Sequence, residues 1–432
     1  MKIAITTVGS TGDVEPFIPL ARELLREGHE VKVISGHIYR HLFESRGIPF
    51  HAAGDPLDLD KIRSLMERTR HMNRIRQYRH IVNEVILADG EKRYHDCVQA
   101  SRGADFAVCH TFDVTGQHAV TANNLPWASV ILCPGMIPTK YHGPMDIPDM
   151  GTVVNSLLWK VAQKSMAPLD RHVSSFLCGL DGRKRKSSVF GNYSPDLNFI
   201  AGSRYLGKVY PDLPASFIPT GPWLREGESP VIDENLEHFI RTRKPEAAFT
   251  FGSMGGEDGD IVAKIFLEAI ADTGISAVIQ RGWGMIEAAS CPDNVHFVDY
   301  VPHDYLFKNV RMVVHHGGAG TSYAACRAGV PSLVVHHIAD QKYYGRVLED
   351  IGVAPRSMDR KKFSSRLLAA GIRRILNDSG MAVRARALGE TMHAENNGAA
   401  IAAEIINARL SNNRFLFHHE KPDNEISLSR GL

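Results

Sequence analysis

The sequence predicts an α/β protein built from two doubly wound, Rossmann-like domains. With 432 residues, the chain exceeds the size at which one hydrophobic core stops growing, so two domains of roughly 200 residues each are expected. Short apolar runs alternate with amphipathic segments in both halves of the chain. Between the halves lies Tyr210–Pro230, a proline-rich stretch that cannot fill a central strand.

The alternation starts at the beginning of the chain. In order, it predicts a buried strand at Lys2–Thr7, a helix at Val14–Glu27 that ends at Gly28, a strand at Val31–Ile34 and a helix at Tyr39–Ser45 that ends at Gly47. Strands and helices in this order form a parallel sheet with helices on both faces. We therefore assign residues 1–218 to the first domain.

The same alternation returns after the proline-rich stretch. It predicts strands at Ala247–Phe251, Ala277–Ile279, Val295–Val298, Met312–His315 and Ser332–Val335, and helices at Ile261–Asp272, Thr321–Arg327 and Lys342–Asp350. These elements define a second domain at residues 233–410, after a linker at 219–232. Residues 411–432 lose periodicity and are predicted to be a polar tail.

Composition excludes several classes of protein. Hydrophobic residues make up 44% and charged residues 23% of the chain, as in an ordinary soluble protein. The sequence contains no uninterrupted run of about 18 apolar residues, so no membrane span is predicted. A formal charge of +2 gives no general case for a nucleic-acid partner. The six cysteines are scattered and form no Cys-x-x-Cys pair, which is typical of reduced thiols, and the N-terminus lacks a secretory signal. A cytoplasmic location is therefore expected.

One segment of the first domain is both apolar and strongly basic. Residues 59–87 place apolar side chains three and four positions apart, with arginines between them, which predicts a long amphipathic helix that is broken at most once. The favoured interpretation is a core-facing stripe with a solvated basic face. The alternative is a surface that contacts anionic lipid at the membrane periphery or lines the acceptor entrance.

The most informative segment is Val313–Ser322, which is predicted to run from a strand through a glycine-rich turn into a helix. Such a junction presents free backbone N–H groups and the positive end of a helix dipole, so it can bind an anion. Glycines allow the backbone to approach a diphosphate closely, and a histidine and a threonine at the turn can donate hydrogen bonds to its oxygens.

The order of three motifs makes this segment more specific. His316–Thr321 is followed by Arg327–Pro331 and then by Asp340 and Gln341, and together they resemble the donor-binding signature of the UDP-glycosyltransferase superfamily. The resemblance implies that the turn holds the nucleotide diphosphate, while Asp340 and Gln341 hydrogen-bond the sugar. The implied diphosphate contacts are His316, Gly318, Gly320 and Thr321, with Ser253 as a second phosphate contact and Val301 in the segment that packs against the nucleobase.

The N-terminal segment Gly9–Pro16 resembles the opening of the sterol and antibiotic branch of the same superfamily, which includes glycopeptide and macrolide glycosyltransferases. The resemblance places Ser10 and Thr11 near the donor and makes Asp13 the candidate catalytic base. An aspartate three residues before a proline is also a good N-cap, so Asp13 is alternatively a helix cap.

The resemblance implies the GT-B architecture, in which two Rossmann-like domains face each other across a cleft. The first domain would bind a small, largely apolar acceptor, for which Trp127, Met136 and Tyr141 are suitable, and the second a UDP- or dTDP-sugar. An inverting transfer of a hexose to an acceptor hydroxyl would follow, without a metal or another cofactor. Asp58–Asp60 and Asp258–Asp260 spell a metal-binding Asp-x-Asp pattern, but we interpret both as helix starts or turns.

Other interpretations remain open at this stage. His110 and Asp113 either line the acceptor side and support Asp13 or are structural. A sugar-nucleotide epimerase of the same fold, a Rossmann oxidoreductase and a non-catalytic binding protein are the alternative functions. The oxidoreductase is disfavoured because the first turn lacks the spaced Gly-x-Gly-x-x-Gly pattern. The sequence leaves the oligomeric state open.

Overall fold

The computed structural model describes residues 1–69, 72, 74–144, 147–208, 210–224, 232–252, 259–282, 286, 290–337 and 340–411. These residues form two α/β domains, each built on a parallel sheet. The predicted fold class is therefore confirmed.

The first domain contains a seven-stranded sheet in the order β3-β2-β1-β4-β5-β6-β7. Its strands are β1 (Lys2–Thr6), β2 (Glu30–Ser35), β3 (Phe50–Ala52), β4 (Phe106–His110), β5 (Trp127–Ile131), β6 (Asn198–Ile200) and β7 (Phe217–Pro219). Its helices are α1 (Thr11–Val14), α2 (Phe17–Arg26), α3 (Arg40–Glu44), α4 (Leu59–Thr69), α5 (Arg74–Ile81), α6 (Gly90–Ser101), α7 (Val114–Ala122) and α8 (Thr152–Asp181). Buried side chains from both faces of the sheet form its main cores.

The second domain contains a six-stranded sheet in the order β10-β9-β8-β11-β12-β13. Its strands are β8 (Ala247–Thr250), β9 (Ala277–Gln280), β10 (Val295–Val298), β11 (Met312–His315), β12 (Ser332–His336) and β13 (Met358–Asp359). Its sequence also forms α9 (Glu234–Arg243), α10 (Gly259–Thr273), α11 (His303–Leu306), α12 (Ala319–Arg327), α13 (Gln341–Asp350), α14 (Ser365–Asn377), α15 (Ser379–His393) and α16 (Gly398–Ser411).

The last helix departs from the predicted domain assignment. The sequence placed 233–410 in the second domain, yet α16 packs against α2 of the first domain. Ala399, Ala402, Ala403 and Ile406 of α16 are fully buried in the same core as Phe17 and Trp223. The small side chains of α16 allow close helix packing there, and the sequence pattern by itself cannot say which domain they bury against.

The predicted long basic helix is broken. It consists of α4, α5 and a short π-helical stretch, Val82–Ile86, and Met72, between α4 and α5, lies outside both helices. Leu65 and Val82 are buried while Arg68, Arg76 and Arg79 carry the charge of the outer face. This agrees with the favoured interpretation of a core-facing stripe.

Both sheets reverse strand order at one point. In the first sheet the reversal lies between β1 and β4, and in the second between β8 and β11. Ligands of open parallel sheets bind at such switch points, outside the carboxyl ends of the strands. The segments at the carboxyl ends of these four strands contain Gly9–Asp13, His110–Asp113, Phe251–Gly252 and His316–Gly318.

The two domains contact each other next to these loops. The ring of Tyr343, on α13, lies so close to Gly135 that a β-carbon there would be 2.7 Å from it. The hydroxyl of Tyr344 donates to the carbonyl of Leu132 at 3.3 Å, and Ser203 donates to Glu395 at 3.0 Å. Among the described residues, no helix is both long and apolar enough to cross a membrane.

Candidate active site

The turn after β1 holds Asp13 in a defined position. One carboxylate oxygen, Oδ2, accepts hydrogen bonds from the Ser10 backbone N–H at 2.7 Å and from the Ser10 hydroxyl at 2.9 Å. Gly9 has φ +127°, and a β-carbon there would lie 2.8 Å from Cγ of Asp13. Tyr39 fixes the same turn by donating to the Gly9 carbonyl at 2.9 Å. Only glycine therefore fits beside this carboxylate.

These contacts refine the two interpretations of Asp13. The N-cap of α1 is Ser10, not Asp13, and Asp13 is the third residue of the helix. Its carboxylate accepts from the N-cap backbone, the acidic half of a capping box. Only Oδ2 is occupied by these bonds, so the cap role and a chemical role for the other oxygen are compatible. Ser10, predicted near the donor, directs its hydroxyl to Asp13.

A buried ion pair between Arg93 and Asp113 stabilises the chain just before the Asp13 turn. Arg93 Nη2 donates to Asp113 Oδ2 at 2.6 Å and to the carbonyl of Thr7 at 3.0 Å, and both charged side chains are buried. Asp113 also caps α7 by accepting from the Gly116 N–H at 3.0 Å. These bonds favour the structural interpretation of Asp113, because its carboxylate is fully engaged.

His110 lies at the end of β4, buried, with its ring edge against Phe17. Burial lowers its pKa, and the charges of Asp13 and Asp113 oppose that change. Its Nδ1 has no hydrogen-bond partner among the described residues. His110 is therefore neutral near pH 7 and lies close enough to Asp13 to interact with it electrostatically.

In the second domain, the two adjacent histidines have different surroundings. The His315 ring is fully buried, and its Nδ1 accepts from the Gly317 N–H at 3.1 Å. The His316 ring lies against Gly252 and Gly318: a β-carbon at Gly318 would collide with Nε2, and one at Gly252 would lie 3.1 Å from Cε1. Burial lowers the pKa of His316 to about 4, aided by the charge of His303 and partly offset by the Thr250 backbone. His315 therefore has a structural role, whereas His316 is neutral near pH 7 and lies at the glycine-rich turn.

The glycine-rich turn opens directly onto a helix. Gly318 is the N-cap residue of α12, and Thr321, in its first turn, is buried. A β-carbon at Gly317, where φ is +89°, would lie 2.7 Å from the Gln341 carbonyl, so this position requires glycine. Around Gly320 the space is open. The unpaired N–H groups at this helix start and the His316 ring together form an anion-binding geometry.

Asp340 and Gln341 lie at the start of α13. Gln341 is buried, and its Oε1 accepts from the His337 N–H at 2.7 Å, so its side chain also braces the loop. The pKa of Asp340 is raised to about 7, first by burial and then by the negative charge of Asp13. The two aspartates come from different domains, so the interface brings together carboxylates that are far apart in the sequence.

This raised pKa predicts a pH-dependent stability. The folded protein binds a proton on Asp340 between about pH 4 and pH 7 that the unfolded chain has released, so this group stabilises the fold at low pH and loses that contribution as pH rises to about 7. We expect Asp340→Asn to raise the free energy of unfolding more at about pH 8 than at about pH 5. After allowance for partial solvent screening, the difference should be on the order of 1 kcal/mol.

Urea unfolding at the two pH values measures this effect. Asp350→Asn is the matched control, because Asp350 is exposed at the end of the same helix. An equal pH dependence in both variants would contradict the assignment of the raised pKa to Asp340.

The remaining predicted residues have varied surroundings. Val301 is buried in the core of the second domain, whereas Tyr300 beside it is 58% exposed. Trp127, predicted to suit the acceptor, is instead buried in the core, because it is part of central strand β5. Asp58 caps α4 by accepting from the N–H groups of Asp60 and Lys61 at 3.1 Å, as interpreted from the sequence. Ser253 and Asp258 lie outside the described residues.

The sequence did not single out His303 or Tyr343. The rings of His303 and Phe307 stack with their centroids 4.6 Å apart. His303 also interacts electrostatically with His316, so a second imidazole lies near the glycine-rich turn. Tyr343 closes the interface beside Asp340. His303 falls in a segment that the family resemblance did flag, but only for its contact with a nucleobase.

Two family models match the chain. The N-terminal domain of glycosyltransferase family 28 matches residues 3–90, and the C-terminal domain of erythromycin biosynthesis protein CIII-like proteins matches residues 266–408. The first match contains the Asp13 turn and the second contains His316, Asp340 and Gln341. Both halves of the candidate site therefore lie within the two matched family domains.

The chain is also similar in sequence to sterol 3-beta-glucosyltransferases. A sterol 3-beta-glucosyltransferase of Debaryomyces hansenii is 25% identical over 98% of this chain, and one of Saccharomyces cerevisiae is 26% identical over 87%. This chain spans only 28% and 33% of the length of those two relatives.

Solved structures show the same fold. The glycosyltransferase of kitacinnamycin has a TM-score of 0.70 at 18% identity, covering 95% of this chain and 99% of its own. A calicheamicin glycosyltransferase has a TM-score of 0.68 at 18% identity, covering 95% and 98%. A glycosyltransferase solved with dTDP has a TM-score of 0.65 at 18% identity, covering 95% and 100%. These matches support the UDP-glycosyltransferase superfamily, and the chain has the GT-B fold.

Proposed function

We propose that this protein is an inverting glycosyltransferase that moves a hexose from a UDP- or dTDP-sugar to a hydroxyl of a small, largely apolar acceptor. The observation that carries the proposal is the proximity of the two sheets' switch points. Asp13 of the first domain interacts electrostatically with Asp340 of the second. The turn that contains His316 and leads into α12 belongs to the same edge of the second sheet. This proximity supports a site in which Asp13, the proposed sugar-binding pair and the proposed anion site face one interdomain cleft.

The donor would bind mainly to the second domain. Its diphosphate would accept hydrogen bonds from the N–H groups at the start of α12 and from the ring of His316, and the positive end of the helix dipole would offset its charge. The exposed ring of Tyr300 offers a flat apolar surface for the nucleobase. A solved neighbour that contains dTDP supports a nucleoside diphosphate as the ligand class.

The chemistry would follow from the position of Asp13. An acceptor hydroxyl oxygen attacks the anomeric carbon, the bond from that carbon to the diphosphate breaks, and Asp13 takes the hydroxyl proton. Asp340 and Gln341 would hold the sugar hydroxyls during the displacement. The developing charge on the leaving diphosphate is offset by fixed N–H dipoles and His316, so we propose that no metal ion is required.

The acceptor class rests on the relatives and on the first domain. The sterol 3-beta-glucosyltransferases that resemble this chain are named for an apolar acceptor. In the first domain, the half-buried side chains of Met136 and Tyr141 suit an apolar ligand. A sterol, terpenoid, lipid or polyketide hydroxyl is therefore the substrate class that we propose.

Product analysis by mass spectrometry tests the proposal. Purified protein is incubated with UDP-glucose or dTDP-glucose, a sterol or macrolide aglycone, and a chelator. We expect a product that is heavier than the acceptor by one hexose, formed at an undiminished rate when the chelator is present. Conversion of the donor without any acceptor would instead identify a sugar-nucleotide epimerase, and loss of activity on chelation would overturn metal independence.

A further inference from the structure

The N-terminal half of α8 carries an apolar surface that no part of the described chain covers. Thirteen large apolar side chains are exposed in the described residues, and six of them lie between residues 147 and 161: Ile147, Met150, Val153, Val154, Leu157 and Val161. Val153 is 82%, Leu157 60% and Val161 58% exposed. We call these six residues the α8 patch.

Three residues of the patch form a stripe along α8. Val153, Leu157 and Val161 are spaced by four residues, so they lie above one another on one face of the helix. The opposite face is buried through Trp159 and Met166, so the orientation of the stripe towards solvent is fixed by packing. A contiguous exposed apolar surface of this kind marks an interaction site.

The rim of the patch is basic and aromatic. Lys160 and Lys164 lie on the exposed side of α8, and its segment 152–169 contains no acidic residue. At the start of the helix, the Lys140 ammonium lies over the Tyr141 ring at 5.3 Å, and Tyr141 stacks on Tyr210 at 5.7 Å. Exposed lysines around an apolar stripe, with tyrosines beside them, suit the boundary between lipid headgroups and acyl chains.

Two carboxylates near the rim are already engaged. Asp149 accepts hydrogen bonds from Asn155 and from the Gly151 N–H, and the charge of Lys208 helps to lower its pKa. Asp212 accepts from Thr139 and from the Lys140 N–H. With Lys140, Lys160, Lys164 and Lys208 on the other side, the described rim keeps a positive balance.

We propose that the α8 patch binds the surface of an anionic lipid bilayer, with its apolar side chains inserted among the headgroups and its lysines on lipid phosphates. This places the membrane contact on α8 rather than on the basic segment 59–87, where Ile75 is the one exposed large apolar side chain among the described residues. The patch lies near the interdomain cleft, because Tyr141 stacks on Tyr210, and Tyr210 is close enough to Tyr343 of the interface for the two phenol groups to interact. Access to membrane-dissolved acceptors would follow, a consequence that rests on the proposed function.

Vesicle co-sedimentation tests the proposal without any enzymatic assay. The full chain is mixed with phosphatidylcholine vesicles that contain roughly one third phosphatidylglycerol, and with pure phosphatidylcholine vesicles. We expect binding to the anionic vesicles, weaker binding to the neutral ones, and a decrease with added salt. The variant Val153→Ser/Leu157→Ser/Val161→Ser should bind about tenfold more weakly or worse.

Two further variants separate the contributions. Lys160→Gln/Lys164→Gln should weaken binding to anionic vesicles by about tenfold while leaving the weak binding to neutral ones. Leu367→Ser/Val383→Ser is the matched control, since these exposed apolar residues lie on α14 and α15 of the second domain, and it should bind like the wild type. Circular dichroism and UDP titration confirm that each variant is folded.

Several results would overturn the proposal. One is equal vesicle binding by the α8 triple variant and the wild type, and another is no binding to either vesicle. Self-association of the wild type that the triple variant loses, without vesicle binding, would assign the patch to a second copy of the chain instead. Because UDP titration is read separately, failure of lipid binding leaves the proposed function untouched.

Discussion

Replacement of Asp13 by asparagine should lower the turnover of glycosyl transfer by about 10²–10⁴-fold, the range expected when a general base is removed. Asparagine keeps an oxygen that can accept from the Ser10 N–H, so the turn and the start of α1 should persist. What it loses is the ability to take the acceptor proton. The turnover should therefore fall while the donor affinity and the melting temperature stay close to those of the wild type.

The control for this experiment is another capping aspartate in the same domain. Asp58 accepts hydrogen bonds from backbone N–H groups at the start of α4 and is exposed, so Asp58→Asn should retain full turnover. Steady-state kinetics, together with calorimetric titration of UDP, separate turnover from donor binding. Near-normal turnover of Asp13→Asn would show that Asp13 is a helix cap alone.

Replacement of His316 by alanine should weaken nucleoside diphosphate binding by up to about a hundredfold, the upper range for loss of a hydrogen bond to a charged group. The ring is buried, its Nε2 faces Gly318 at the start of α12, and its Nδ1 has no hydrogen-bond partner among the described residues. Because the pKa of His316 is about 4, the ring is neutral near pH 7 and acts as a single N–H donor.

Calorimetric titration with UDP and with dTDP, in the presence of a chelator, measures this loss. His393→Ala is the matched control, because His393 is exposed at the end of α15 and should leave binding unchanged. Wild-type affinity in His316→Ala would remove His316 from the proposed donor site. Binding of NAD in place of either nucleotide would return the oxidoreductase to consideration.

The architecture could be predicted because each element carried a local signal. Apolar runs that end at glycine marked β1, β8 and β11, and these strands formed within one residue of the predicted bounds. Helix α8 was not predicted, although it is 30 residues long. Its first turns are apolar on the exposed side as well as on the buried side, so the polar face that identifies a surface helix is missing there.

Some residues of the candidate site could be predicted from the sequence, and others could not. The histidine, the glycines and the Asp-Gln pair were found because they occur at fixed spacings within short segments, and a resemblance of spacing needs no tertiary information. Trp127 was misjudged, since an aromatic side chain in a central strand and one in a binding site have the same local pattern. Only the packing of β5 against its neighbours shows which one it is.

The sequence by itself determined the fold class, the glycine-rich anion site and the candidate roles of Asp13 and His316, because these depend on residue type and spacing along one segment. The tertiary structure decided what depends on contacts between segments. It seated α16 on the first domain, brought the charge of Asp13 next to Asp340 and raised the pKa of that carboxyl, and left the α8 patch uncovered. Burial and charge proximity are properties of the folded chain, so no local pattern could have specified them.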